Sequence, residues 1–228
     1  MTAAAEERGA ALALLPLAAT AGYYALPVSL QDATAIQFAP QVIAYLALAR
    51  WAAHNDGVVD RLGLSPRGLP QGLRWGLLTG LLLGGLNTAV ILILTPALGY
   101  DIAFLNTTPH AQLPFLVMVP WFICAIAWFV EVNFRGFLLG RLAVLESRCL
   151  KNPFAARHSP LALLLSALTF ACDPFMVSTF RHLHWIAVWD GLVWGLLWLH
   201  TRNLYLTIVA HAVEVIVMYC AVRSVLLP

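Results

Sequence analysis

Residues 72–98 carry a single charge, Arg74, in an otherwise apolar run that also holds five glycines and a proline. At ~1.5 Å of rise per helical residue, a run of this length crosses the ~30 Å hydrocarbon layer of a bilayer. Inside hydrocarbon each backbone amide needs a partner from the chain itself, so the spanning structures available are helices and closed barrels. Taking roughly 17 to 25 mostly apolar residues as one crossing, the chain reads as spans at 10–30, 36–53, 72–98, 113–135, 159–175, 185–200 and 204–226. The expected fold is all-α: a polytopic membrane helical bundle of about seven transmembrane helices, forming one integral membrane domain over residues 1–228. The second, fifth and sixth spans are short, as partial or re-entrant elements are.

Composition agrees with this reading. The chain is 61% hydrophobic and 11% charged, against roughly 25% charged in a typical soluble domain. Two acids, Glu6 and Glu7, precede the first apolar run and no cleavage site follows it, so the first span is expected to stay rather than leave as a signal peptide. A net charge of +2 with no basic run interleaved with aromatics argues against nucleic acid as a partner. Cys124, Cys149, Cys172 and Cys220 are too far apart for a CxxC pair and read as small buried apolar residues.

Charge bias sets the expected orientation. Arg61, Arg67 and Arg74 fall in the segment from His54 to Arg74 that leads into the third span, and Arg141, Arg148, Lys151 and Arg157 between the fourth and fifth. Residues 99–112 hold Asp101 and neither Lys nor Arg. Positive residues favour the cytoplasmic side, which puts the N-terminus in the cytoplasm and leaves Arg181 and Arg223 as exceptions.

Ionisable groups within the spans are costly, and mark function by default. Counted from the expected cytoplasmic ends on the helical rise, Glu131 and Asp190 lie ~15 Å deep, His211 ~12 Å and Glu214 ~16 Å. Asp173 comes out nearer ~21 Å. Glu131 and Arg135 are i,i+4, and His211 and Glu214 are i,i+3, so each pair presents one helix face to a neighbour. The bland alternative is a buried ion pair and an interhelical polar clamp. Trp185, Trp189, Trp194, Trp198 and Tyr205 form an aromatic tract, expected as a belt at the membrane interface, with Trp194 and Trp198 sharing a face.

The stretch Phe134-Arg135-Gly136-Phe137-Leu138-Leu139-Gly140-Arg141-Leu142, followed by residues 191–205 and Ile208-Val209-Ala210-His211-Ala212, resembles the CPBP family of CAAX-protease and bacteriocin-processing membrane proteins. Leu62-Gly63-Leu64-Ser65-Pro66-Arg67 resembles a short cytoplasmic segment of the same family. Proteolytic members resemble glutamic proteases, in which Glu and His hold an attacking water while a second His and an Asn stabilise the oxyanion. The family motifs are EExxxR, FxxxH and HxxxN. This sequence has Val130 at the water-activating Glu, then Glu131 and Arg135. It keeps Phe170 but has Pro174 at the second-motif His, beside Asp173. It keeps His211 but has Val215 at the Asn, beside Glu214.

The resemblance therefore implies the CAAX-protease-like fold with a dismantled mechanism. Such a pseudoprotease is expected in the inner membrane of a bacterium, binding lipid, a partner transmembrane protein or a lipophilic ligand. The alternative is a divergent intramembrane endopeptidase with Glu131 as base, His211 beside it, and Asp173 or Glu214 as helpers. Since a one-residue step turns a helical side chain by about 100°, Glu131 could replace the missing base only on a rotated or distorted helix. Glu131, Asp173, His211 and Glu214 are acceptable metal ligands, but the single His-x-x-Glu lacks the second pair of a di-iron bundle. Neither a metal nor a cofactor is expected.

Overall fold

The protein is described here by a computed structural model covering residues 7–150 and 159–226. Glu6, Lys151 and Arg157 lie outside the described residues. Among those described, every regular element is a helix.

Each span read from the sequence is largely helical, but the first is broken at residues 25–27 and the fifth at 172–173. Three helices, Val58–Ala97, Phe115–Cys149 and Leu204–Leu226, are long and apolar enough to cross a membrane by length and composition. A fourth crossing is made if Pro160–Ala171 and Pro174–Leu183, bent by 52° at their junction, count as one. Ala10–Tyr24 is a shorter apolar helix, while Ala39–Ala52 and Ile186–Thr201 run for 14 and 16 residues. The helix that opens the fourth span continues past Arg135 to Cys149.

The chain divides into two compact units, each made of two separated stretches: Met1–Leu64 with Val132–Arg202, and Ser65–Glu131 with Asn203–Pro228. In the first, Pro160–Ala171 packs along Ile186–Thr201. Small residues let these helices approach closely: a Cβ on Gly191 would stand 3.0 Å from the Cα of Ala167. Trp51, Phe137, Trp194 and Trp198 fill this core, all less than 2% exposed or close to it. Trp194 and Trp198 are thus core residues rather than belt residues. Trp198 Nε1 donates to the carbonyl of Leu62 at 3.1 Å, which meets the hydrogen-bonding need of a buried indole.

The second unit is built on the pairing of Leu69–Ala89 with Leu204–Leu226. Gly72, Gly76, Gly80 and Gly84 recur every four residues and so lie on one face. A Cβ at Gly72 would stand 2.6 Å from Tyr205 Cβ; at Gly76, 2.7 Å from Leu206 O; at Gly80, 2.6 Å from Ala210 O; at Gly84, 2.8 Å from Val217 Cβ. Only glycine admits this approach, and each rung advances about four residues on both helices, so the two run parallel. Two parallel spans need an odd number of crossings between them, as the spans read at 113–135, 159–175 and 185–200 supply. Asn203 Nδ2 donates to Gly68 O at 2.7 Å, joining the starts of the two helices.

The cysteines are free, and Cys124, Cys149 and Cys220 are exposed rather than buried. Apolar helix surface in a membrane protein faces lipid as readily as it faces core, so hydrophobic context did not imply burial.

Candidate functional site

The helix bearing Glu131 is unevenly wound. Met118–Ala125 and Val132–Leu139 are π-helical, and the α-helical residues Ile126–Glu131 lie between them. The i→i+5 bonding of a π turn widens the coil and re-aims the side chains that follow it, which is why such turns gather at functional sites. Pro120, which lacks an amide hydrogen, sits inside the first of them. The i,i+4 spacing of Glu131 and Arg135 therefore does not place them as an undistorted α-helix would.

Glu131 and His211, brought together from two helices of the second unit, are in direct contact. Nδ1 of His211 lies 2.9 Å from Glu131 Oε1, a hydrogen bond in which the imidazole N–H donates to the carboxylate. Glu131 has no exposed surface, and His211 retains 9%. A carboxylate on Nδ1 fixes the tautomer and orients the ring, with Nε2 turned away from the acid.

Glu214, one turn beyond His211, meets Asn87. Asn87 Nδ2 donates to Glu214 Oε1 at 2.6 Å, and both side chains are buried. The glycine face makes this contact: Asn87 follows Gly84 by three residues, and Gly84 packs on the Cα of Glu214. Neither Asn87 nor the spacing of the glycines entered the sequence reading. The signal was present in the fourfold repeat of small residues, a packing motif of membrane helices.

Arg135 and Asp173 belong to the first unit. The Arg135 guanidinium, 1% exposed, is sandwiched between Phe170 and Trp194, 4.4 and 4.9 Å from the two ring centroids. Phe170, the residue retained from the second motif, is therefore one wall of an arginine cage. Asp173 is the N-cap of Pro174–Phe180. Its Oδ1 accepts from the amides of Phe175 and Met176 at 3.1 and 3.2 Å, and Gln41 Nε2 lies 3.0 Å from both carboxylate oxygens. Pro174, at the position of the family's His, is the first residue of the helix, where proline's fixed φ suits the turn. Val215, at the position of the family's Asn, packs against the apolar cluster of Met118, Ile123 and Tyr219.

For a metal, the donors divide by contact. Glu131 is engaged with His211, Glu214 with Asn87 and Asp173 with Gln41, and among the described residues no group of three or more His, Cys, Asp or Glu side chains is placed to hold an ion.

Residues 112–217 match the family model described as type II CAAX prenyl endopeptidase Rce1-like. Comparison with curated proteins and with solved structures gives no match. The matched stretch contains Glu131, Arg135, Phe170, Asp173, His211 and Glu214, and begins after Asn87 and the glycine face. By its apolar helices, which are all the regular structure among its described residues, the chain is a helical membrane protein, and over residues 112–217 it is similar to the type II CAAX prenyl endopeptidase family.

Proposed function

We propose that the chain is a pseudoprotease of this family, which binds a partner transmembrane helix, a lipid or a lipophilic ligand in the bilayer and does not cleave peptides. The observation that carries this reading is the direct contact of Glu131 with His211 at 2.9 Å. Hydrolysis by an acid and an imidazole needs an attacking water between or beside them, within reach of a base. Here the two groups that remain from the family's set are closed on each other, and Glu131 is sealed. The other positions support the same reading, since Val130, Pro174 and Val215 supply neither base nor oxyanion donor, and two of them serve packing and helix initiation.

A second reading is favoured by one observation. The π-helical turns on both sides of Glu131 are the distortion that a displaced base would need. In that reading the chain is a divergent endopeptidase of membrane-embedded or prenylated peptides, with Glu131 and His211 as its acid–imidazole pair. One assay separates the two. Purified protein in nanodiscs is incubated with a farnesylated CAAX peptide and with a transmembrane peptide, beside Glu131→Gln. The pseudoprotease reading expects no product from either protein; cleavage by the native chain that Glu131→Gln abolishes overturns it.

A further inference from the structure

A second cluster of charge lies wholly in the first unit, and its Arg141 and Arg202 fall within stretches that carry the family resemblance. Glu7 is its centre. Arg141 Nε lies 2.5 Å from Glu7 Oε1, and Arg61 Nη1 lies 3.4 Å from Oε2. Trp51 Nε1 donates to Oε1 at 3.1 Å, and Arg148 Nη2 donates to the backbone carbonyl of Glu7 at 2.8 Å. The Arg141 guanidinium lies 4.2 Å over the ring of Trp51, and that of Arg202 lies 4.6 Å over Trp198. Arg61 and Arg202 both act electrostatically on Arg141. Glu146, an acid of the same helix as Arg141 and Arg148, is turned to the amides of Leu161 and Ala162.

The Glu7 carboxylate thus faces the guanidinium groups of both Arg141 and Arg61. Arg141 is 3% exposed, and its Nη1 has no hydrogen-bond partner among the described residues. A buried cation in this state is expensive to keep unless a further anion completes it. Arginine forks match the oxygens of phosphate as they match those of carboxylate, and a phosphate offers more acceptors and more charge than Glu7 does. Arg61 and Arg148 are partly exposed or exposed, so the cluster has an open side, while indole rings of Trp51 and Trp198 back the guanidinium groups. Basic pockets among transmembrane helices are suited to anionic headgroups, and Arg61, Arg141 and Arg148 come from the segments whose charge bias assigns them to the cytoplasmic face.

We propose that Arg61, Arg141, Arg148 and Arg202 form a phosphate site that takes the headgroup of an anionic phospholipid, with the Glu7 carboxylate as its intramolecular competitor. The phosphate enters from the side of Arg61 and Arg148 and displaces Glu7 from Arg141. The Arg141 side chain then gains a partner for Nη1.

The test is retention of lipid by the full chain in detergent, read by native mass spectrometry and by thermal shift, with phosphatidylglycerol, phosphatidylcholine and inorganic phosphate as separate probes. Phosphatidylglycerol should be retained over phosphatidylcholine and should raise the unfolding temperature. Arg61→Gln and Arg148→Gln, at positions that are not sealed in the core, should each weaken retention by about five-fold. Glu7→Gln, which removes the competitor, should strengthen it. Equal retention of the two lipids, or arginine variants that bind like the native chain, overturns the site. A shift with inorganic phosphate that phosphatidylglycerol does not exceed assigns the arginines to free phosphate and overturns the lipid source.

Discussion

Asn87 and Glu214 meet at 2.6 Å across the two parallel helices of the second unit, with 0% and 1% of their surface exposed. Truncating one partner of a buried polar pair deprives the other of that hydrogen bond. Asn87→Ala should therefore cost about 1–3 kcal/mol, while Asn87→Leu with Glu214→Leu should be closer to neutral, because neither polar group then remains. Reversible unfolding in mixed micelles, run as a double-mutant cycle, measures both. Additive single and double effects would show that the pair is not coupled.

The glycine face offers a comparison within one helix. A methyl group on Gly80 would stand 2.6 Å from the carbonyl oxygen of Ala210, whereas Gly85 has nothing within 4 Å of the same construction. Gly80→Ala should force the helices apart and cost about 1–3 kcal/mol, as overpacking does. Gly85→Ala should be neutral or should stabilise the helix by about 0.5–1 kcal/mol. The same micelle unfolding decides it: the two variants must differ in sign or by more than the scatter of the assay, and equal effects would mean that the helices are not in close contact at Gly80.

The long apolar runs were legible because hydrocarbon demands them, although among the described residues only three helices, or four with the bent pair, are long and apolar enough to cross. The meeting of Glu131 with His211 was legible from depth, since two ionisable groups at similar heights on separate helices lower their cost by pairing. Their winding was not. A π turn leaves little trace in composition, and Pro120 is the one residue nearby that disturbs regular bonding. Depth also failed to separate Glu214 from Glu131: both lie near the same level, but Glu214 is taken by Asn87, a lone amide whose meaning depended on the register of the glycine face. Trp194 and Trp198 misled because an interface belt calls for the same aromatic residues as a buried core in which Trp194 walls the Arg135 guanidinium and Trp198 donates to the Leu62 carbonyl. Distinguishing these required the position of the guanidinium, which sequence spacing does not supply.

Asp173 is where a structural and a chemical role separate most cleanly. Its carboxylate caps Pro174–Phe180 through the amides of Phe175 and Met176 and takes the amide of Gln41 as well. A side-chain oxygen is what the cap requires, so Asp173→Asn should keep most of the stability, and Asp173→Ala should lose about 1 kcal/mol for the cap. The loss of the Gln41 contact adds to the second variant and bears on the first only in part, because an amide still offers one oxygen to it. A proton-transfer helper would give the opposite pattern, since an amide takes up no proton and Asp173→Asn would then fail in cleavage while folding normally. Unfolding temperatures ordered native, Asn, Ala support the cap. A native fold for Asp173→Asn combined with loss of a peptidase activity present in the native chain would instead make Asp173 part of a working mechanism.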